Sequence, residues 1–408
     1  MAEPAKLELL ARSIDAAGFQ VVEIDSHHAY WAYKPRRLPP TEWELTPQPK
    51  GVDGNRHFAL KNLRRDSYLL LNASEYFFWE YFDGRHSLEE IARAYHLASG
   101  SFDYALIRRL LAKLYNCGLL DGQSISALRS NQQPPGKNLR WTSRFGWKVK
   151  KWRAASFRIP NADRVCSLLY DRGGFLLFHP FSLWLSLAVA AAALALAAAR
   201  PGHNASDFAL FIKTRPVLIG SVMLATLLGA SMLHVLVHAL ACKAHGRRVR
   251  ELGFFLLQGI VPTFYADVTD IFMSTRRARI AVDLAGPMVE VVLGSVAMIS
   301  AHAASPGIGQ ALLFGIGLTL WEGALINLYP FNFLEMDGYN ILADLLAMPM
   351  LRQQALTLIP SLTERTRHLR KLGRAEWLQV GYLALCLISV ALYLIVHIDG
   401  LRALIQPS

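Results

Sequence analysis

Two regimes of hydrophobic patterning divide the chain. Through about residue 175, apolar and charged positions are mixed at short range; beyond it, long uncharged runs appear, the first from Phe181 to Ala199. A helix crossing a bilayer needs about 20 apolar residues. Five stretches fit: Phe181 to Ala199, Pro216 to Ala241, Ile280 to Ala304, Ile308 to Leu328 and Trp377 to His397. Gly253 to Tyr265 is also apolar, but Gly259 and Pro262 interrupt it and it is too short for a sixth span. It predicts a hairpin or re-entrant segment buried against protein, because unpaired backbone is not tolerated in lipid. Lys and Arg collect before residue 175 and at Lys243 to Arg250, Arg276 to Arg279 and Arg352 to Arg374, whereas 200–215 and 303–309 are short and poor in charge. The bias predicts an N-terminus inside and, after five crossings, a C-terminus outside.

The N-terminal part has shorter periods. Met1 to Gln20 reads as a polar amphipathic helix rather than a cleavable signal peptide. A Pro-rich connection through residue 50 follows (Pro35, Pro39, Pro40, Pro47, Pro49). His57 to Asn62 and Ser67 to Leu71 read as two short strands. Ser74 to Phe82 is an aromatic-rich helix, closed by Asp83-Gly84. Ser87 and Glu90 form a capping box that opens a helix from Leu88 to Tyr95. Phe102 to Tyr115 gives a third helix, with Arg108, Arg109 and Lys113 on its exposed face and Gly118 as its stop signal. Two strands and three helices predict a small winged-helix-like α+β domain over 51–122, its core built from Tyr76, Phe77, Phe78, Trp79, Tyr81 and Phe82. A polar linker and a basic juxtamembrane region occupy 123–180. The expected fold class is therefore mostly α: a polytopic membrane protein with a re-entrant β-hairpin and one small N-terminal domain.

Charge and cysteine usage narrow the chemistry. The 408 residues carry a net charge of +12. Arg144, Lys148, Lys150, Lys151, Arg153 and Arg158 precede the first span directly, which points to anionic lipid rather than nucleic acid as the partner of the basic residues. The four cysteines are scattered without a Cys-x-x-Cys, so neither a disulfide framework nor a thiolate zinc site is expected.

The strongest candidate chemistry lies inside the second span. His234 and His238 are four residues apart, and on a helix that spacing points both imidazoles the same way. Ionisable groups inside a membrane are costly and usually functional. Zinc at a catalytic site typically takes three protein ligands. The candidate third is Asp337, after Pro330 ends the fourth span and before Gly338, which lets the backbone approach. The residue after the first His is Val235, whereas the zinc-protease pattern His-Glu-x-x-His has its general base there. Glu290 in the third span, Glu322 in the fourth and Glu335 are the carboxylates available to stand in. Asp267 and Asp270 are expected to cap the segment before the third span, and the remaining histidines to be structural or solvated.

From His234 to Asp337 the chain resembles the site-2 protease family of intramembrane zinc metalloproteases (peptidase family M50). The matching residues are His234 and His238, Ala285-Gly286-Pro287, Asn327-x-x-Pro330 and Asp337-Gly338. The stretch Pro262 to Asp270 resembles the bacterial peptide zinc metalloprotease branch of that family. Leu70 to Leu120, notably Phe82-Asp83-Gly84-Arg85-His86-Ser87-Leu88-Glu89-Glu90-Ile91-Ala92, is similar to PqqD-like peptide-binding domains. The resemblance implies Zn2+ held by His234, His238 and Asp337, a cleft shaped by Asn327, and a hairpin edge open to an extended substrate. It also implies a bacterial inner (cytoplasmic) membrane location with the N-terminal domain cytoplasmic, and a partner peptide that adds beside His57 to Leu71. The implied role is handling a peptide or membrane-protein substrate in maturation or export. Val235 departs from the pattern: general acid–base work is typically worth about a hundredfold to ten-thousandfold, and valine cannot supply it. The alternative is a zinc-binding pseudoprotease that serves as the peptide-binding or assembly subunit of an export complex.

Overall fold

The computed structural model describes residues 7–12, 19–24, 31–100, 104–121, 157–200, 205–257, 261–332, 334–365 and 373–405, and is mostly helical. The chain divides into two compact units, Met1–Lys50 with Gly54–Gly146, and Gly51–Asp53 with Trp147–Ser408.

In the first unit, strands β1 (Leu7–Arg12) and β2 (Phe19–Ile24) pair antiparallel, with Leu9 opposite Val22. Within the helix expected over Met1 to Gln20, residues 7–12 are therefore corrected to a strand, and 1–6 and 13–18 lie outside the described residues. The physical reason is the β-branched and aromatic content of the Phe-Gln-Val-Val-Glu-Ile run at 19–24, which supplies a strand for Leu7–Arg12 to join. A second sheet has the order β3-β4-β5, formed by β3 (Trp43–Pro47), β4 (Phe58–Asn62) and β5 (Ser67–Leu71), all antiparallel. β3 was expected to be connection; Trp43 and Leu45 pack on the core, so the folded unit begins before residue 51.

Three helices follow, α1 (Ala73–Tyr81), α2 (Leu88–Ser99) and α3 (Tyr104–Asn116). α1 and α2 each start with a capping box, Asn72 with Glu75 and Ser87 with Glu90. α2 runs past Tyr95 until Gly100 takes a left-handed conformation, where glycine meets no Cβ penalty. Phe78, Trp79 and Phe82 are fully buried among Leu60, Leu71, Ile91 and Leu114. Lys113 reaches the buried Glu75 at 2.5 Å, so the basic face of α3 is partly committed inside the unit.

The second unit begins with β6 (Phe157–Arg158) and α4 (Ala162–Asp171), both inside the region expected to be linker. The rest of that linker, 123–156, lies outside the described residues. Then come α5 (Pro180–Ala199), α6 (Ala205–Thr214), α7 (Pro216–Ala244), the hairpin β7 (Glu251–Leu257) and β8 (Val261–Asp267), α8 (Arg276–Ala303), α9 (Ile308–Leu328), α10 (Asp337–Leu346), α11 (Leu351–Arg365) and α12 (Arg374–Ile405). Among the described residues, α5, α7, α8, α9 and α12 are long and apolar enough to cross a membrane, matching the five expected stretches in number and place.

Within the apolar Gly253 to Tyr265 stretch the described residues form two antiparallel strands, Gly253 pairing with Tyr265. β6 adds to its other edge, Phe157 opposite Phe254. Asp163 on α4 ties this corner to α7: it accepts from the Lys243 ammonium and the Val249 amide, each at 2.9 Å. Burial pushes the Asp163 carboxyl up, but those two donors outweigh it and hold the group below the usual carboxylate range. Asp270 is buried and accepts from the Arg248 amide at 3.0 Å, with Arg247 at 3.3 Å. Asp267 pairs with Arg250 at 3.0 Å. Both therefore anchor the Lys243 to Arg250 turn, beyond the capping expected of them.

Because Phe78 is fully enclosed in the first unit, Phe78→Ala is expected to cost about 3–5 kcal/mol. Chemical denaturation followed by tryptophan fluorescence measures it; a change below about 1 kcal/mol contradicts this core assignment.

Candidate metal centre

The centre is built where α7, α8 and the start of α10 meet. His234 and His238 stack one turn apart on the same face of α7, their ring centroids 4.6 Å apart and steeply inclined at 74°. Asp337 is the first residue of α10, where the positive end of the helix favours a carboxylate. Its oxygens lie 3.0 Å from His234 Nε2 and 3.4 Å from His238 Nε2, and the two Nε2 atoms are 2.9 Å apart. Three potential ligand atoms thus converge within 4.8 Å. Around a tetrahedral zinc bound at about 2.0–2.1 Å, neighbouring ligand atoms sit roughly 3.3 Å apart, so the spacing fits one small ion.

The other side of each imidazole decides what the convergence means. His234 Nδ1 meets Glu290 Oε1 at 2.9 Å and His238 Nδ1 meets the Val282 carbonyl at 2.6 Å. A carbonyl oxygen and a carboxylate are acceptors, so both Nδ1 atoms donate. In the neutral rings each Nε2 then carries a lone pair, and both lone pairs face Asp337. Acceptors at these separations repel one another unless a cation sits among them. This is the arrangement of metal-binding histidines, whose outer N–H is held by a carboxylate or a carbonyl.

Backbone approach makes the site possible. A Cβ on Gly286 of α8 would stand 2.4 Å from His238 Nε2 and 2.5 Å from His234 Nε2. Gly338 has the same role beside Asp337: its Cβ would lie 2.1 Å from the Leu328 carbonyl oxygen. α10 is held at its far end as well. Asp344 takes Arg279 Nε at 2.9 Å through each oxygen and Nη2 at 2.8 Å, a fork geometry that fixes direction as well as distance.

The remaining candidates separate. Asn327 of α9 donates to Glu290 Oε2 at 3.4 Å, so it reaches the support of His234 rather than the ligand cluster. Glu290 is buried and committed to the outer nitrogen of His234. Glu322 is exposed on α9. Glu335 pairs with Arg352 at 2.5 Å. Val235 packs against the apolar cluster of Cys166, Ala239, Cys242 and Val282, beside Ala266 and Ala285.

One residue was missed from sequence. Asp283 lies one helical turn from Gly286, and Arg279, Asp283, Gly286 and Glu290 share one face of α8 at spacings of four, three and four. Asp283 is within electrostatic reach of Asp337, Asp344 and Arg279. The signal available was a carboxylate on the stripe that holds Glu290.

No known protein family, curated protein or solved structure matches the chain.

Removing the charge behind His234 while keeping an acceptor, in Glu290→Gln, is expected to lower zinc affinity by about 10- to 100-fold, read by chelator competition. Gly286→Ala places a methyl group where the Nε2 atoms converge. It is expected to abolish zinc retention, read by elemental analysis, with helix content by circular dichroism unchanged. Full zinc retention in Gly286→Ala would show that the two histidines do not bind metal as a pair.

Proposed function

We propose that the protein is a zinc-binding membrane protein of the site-2 protease type that holds a peptide or membrane-protein substrate during maturation or export. In this reading it sits in a bacterial inner membrane with the N-terminal unit on the cytoplasmic side and the β7–β8 hairpin re-entrant. The observation that supports it best is that both Nδ1 atoms are occupied while both Nε2 atoms turn to one carboxylate. His234, His238 and Asp337 would hold Zn2+, and a bound zinc would supply Lewis acidity toward a peptide carbonyl. Glu290 orients the His234 ring, and Asn327 orients Glu290. The outer edge of β8, unpaired among the described residues, offers backbone groups to an extended chain. In the first unit, the three-stranded sheet with three helices is compatible with a PqqD-like, winged-helix reading. The free edge of β5 would take a peptide in the same way.

Peptide hydrolysis also needs a group that accepts a proton from water and returns it to the leaving amine. Val235 cannot, Glu290 is engaged behind His234, Glu335 is paired with Arg352, and Glu322 is exposed on α9. The reading that fits best is therefore binding without cleavage: a pseudoprotease whose zinc site keeps the cleft in shape. A second reading, hydrolysis with a displaced base, draws on Asp283, which accepts no hydrogen bond from a described residue and lies close to Asp337.

Elemental analysis and a peptidase assay on membrane-reconstituted protein separate these. Zinc should co-purify with the parent chain and be lost in His234→Ala; equal metal content in the two sinks the zinc reading. With a model transmembrane substrate, cleavage is expected only after Val235→Glu. Cleavage by the parent chain that disappears in Asp283→Asn would instead assign the base to Asp283.

A further inference from the structure

Glu322 is a carboxylate on a membrane-spanning helix with no ion pair or hydrogen bond to a described residue, and it is exposed. Its depth follows from its neighbours. The basic residues Arg276, Arg277 and Arg279 end at Ile280 on α8, and Glu290 stands roughly 15 Å beyond Ile280 at about 1.5 Å of rise per residue. A Cβ on Gly323 would lie 3.6 Å from Glu290 Oε2, so Glu322 is level with Glu290. The hydrocarbon layer is about 30 Å thick, and Glu322 lies six residues, about 9 Å, before the end of α9 at Leu328, which puts it inside the layer and too deep for a short side chain to reach a headgroup.

Around Glu322 the surface is apolar and exposed. Leu318, Leu325, Ile326 and Tyr329 are exposed on the same face of α9, Leu325 to 68%. Tyr329 touches Ser389 of α12 at 2.5 Å, and beyond that contact Ile388 and Leu392 of α12 are exposed as well. An isolated carboxylate in hydrocarbon is disfavoured, and such groups pair or line a functional path.

We propose that this face of α9 docks a transmembrane helix carrying a Lys or Arg at the same depth, which pairs with Glu322. Charge complementarity selects that occupant: an apolar helix would leave the carboxylate stranded, and an acidic one would repel it. The location suits a client of the metal centre, since Asn327, one turn and a fraction along α9, bonds to Glu290 behind His234. The client role rests on the proposed function, whereas the docking itself needs neither zinc nor cleavage, so the two can fail separately.

The full chain, reconstituted in phosphatidylcholine–phosphatidylglycerol vesicles, is tested with synthetic Leu/Ala helices bearing one central Lys, Leu or Glu and an adjacent photo-cross-linker. The Lys helix is expected to cross-link to α9 or α12 several-fold more than the Leu helix, approaching about tenfold for an interhelical polar pair in a membrane. Glu322→Gln should erase the preference, Glu322→Asp should keep most of it, and Glu322→Lys should transfer it to the Glu helix. Equal yields for the three helices on the parent chain overturn the proposal. So does a Lys preference that survives both Glu322→Gln and Glu322→Lys, or cross-linking of α9 only to a second copy of this chain.

Discussion

Where α8 passes α7, the absence of one methyl group sets the geometry of everything else in the second unit. Gly286 faces two ring nitrogens at a distance that no side chain could occupy, and this lets Val282, on the same helix, accept from His238 and Glu290 reach His234. Pro287 follows immediately and lies within α8. Proline lacks an amide hydrogen, so the Asp283 carbonyl four residues earlier loses its helical partner. The local backbone is thus loosened where the polar stripe of α8 meets the histidines. Close packing and polar satisfaction depend on each other here: without the approach at Gly286, two imidazoles and a glutamate would be left unpaired in an apolar surround, a cost of several kcal/mol.

The third member of the cluster arrives from a separate direction and is held by separate means. α10 is short, but it is pinned at both ends, by the close backbone contact of Gly338 with Leu328 and by the fork of Arg279 onto Asp344. Arg279 also belongs to α8. The helix whose Glu290 supports His234 therefore also positions the helix that carries Asp337. Val235 stands outside this arrangement, in the apolar cluster against α4 and the hairpin. Its aliphatic side chain offers neither a ligand atom nor a proton acceptor.

Much of the second unit was legible because lipid imposes a strong pattern: runs of about 20 apolar residues cannot be mistaken for short soluble elements. The pair His234 and His238 was legible from spacing alone. The acceptors behind them were not, since Val282 acts through its carbonyl, which no side-chain pattern marks. Asp283 escaped notice because a lone aspartate in a helix near arginines reads as an ordinary boundary residue, and only the shared face with Gly286 and Glu290 distinguishes it. In the first unit, the core aromatics and the Ser87 capping box were readable locally. Leu7–Arg12 was misread because a short apolar run fits both helical and extended periods, and its partner decides. β3 was hidden among prolines, although Pro47 ends the strand without breaking its pairing to Phe58.

The pairing of β6 with β7 has a consequence for how the molecule is made. Phe157 must wait for Phe254, about 100 residues later, and the intervening chain includes α5 and α7. The three-stranded sheet cannot close until those helices have emerged, and contacts so distant in sequence form late. During synthesis the outer edge of the hairpin is therefore unclaimed for as long as the preceding segment has not found it. The backbone groups of β7 are thus covered on that side only when residues 157–158 return to them, while the far edge of β8 has no strand beside it among the described residues.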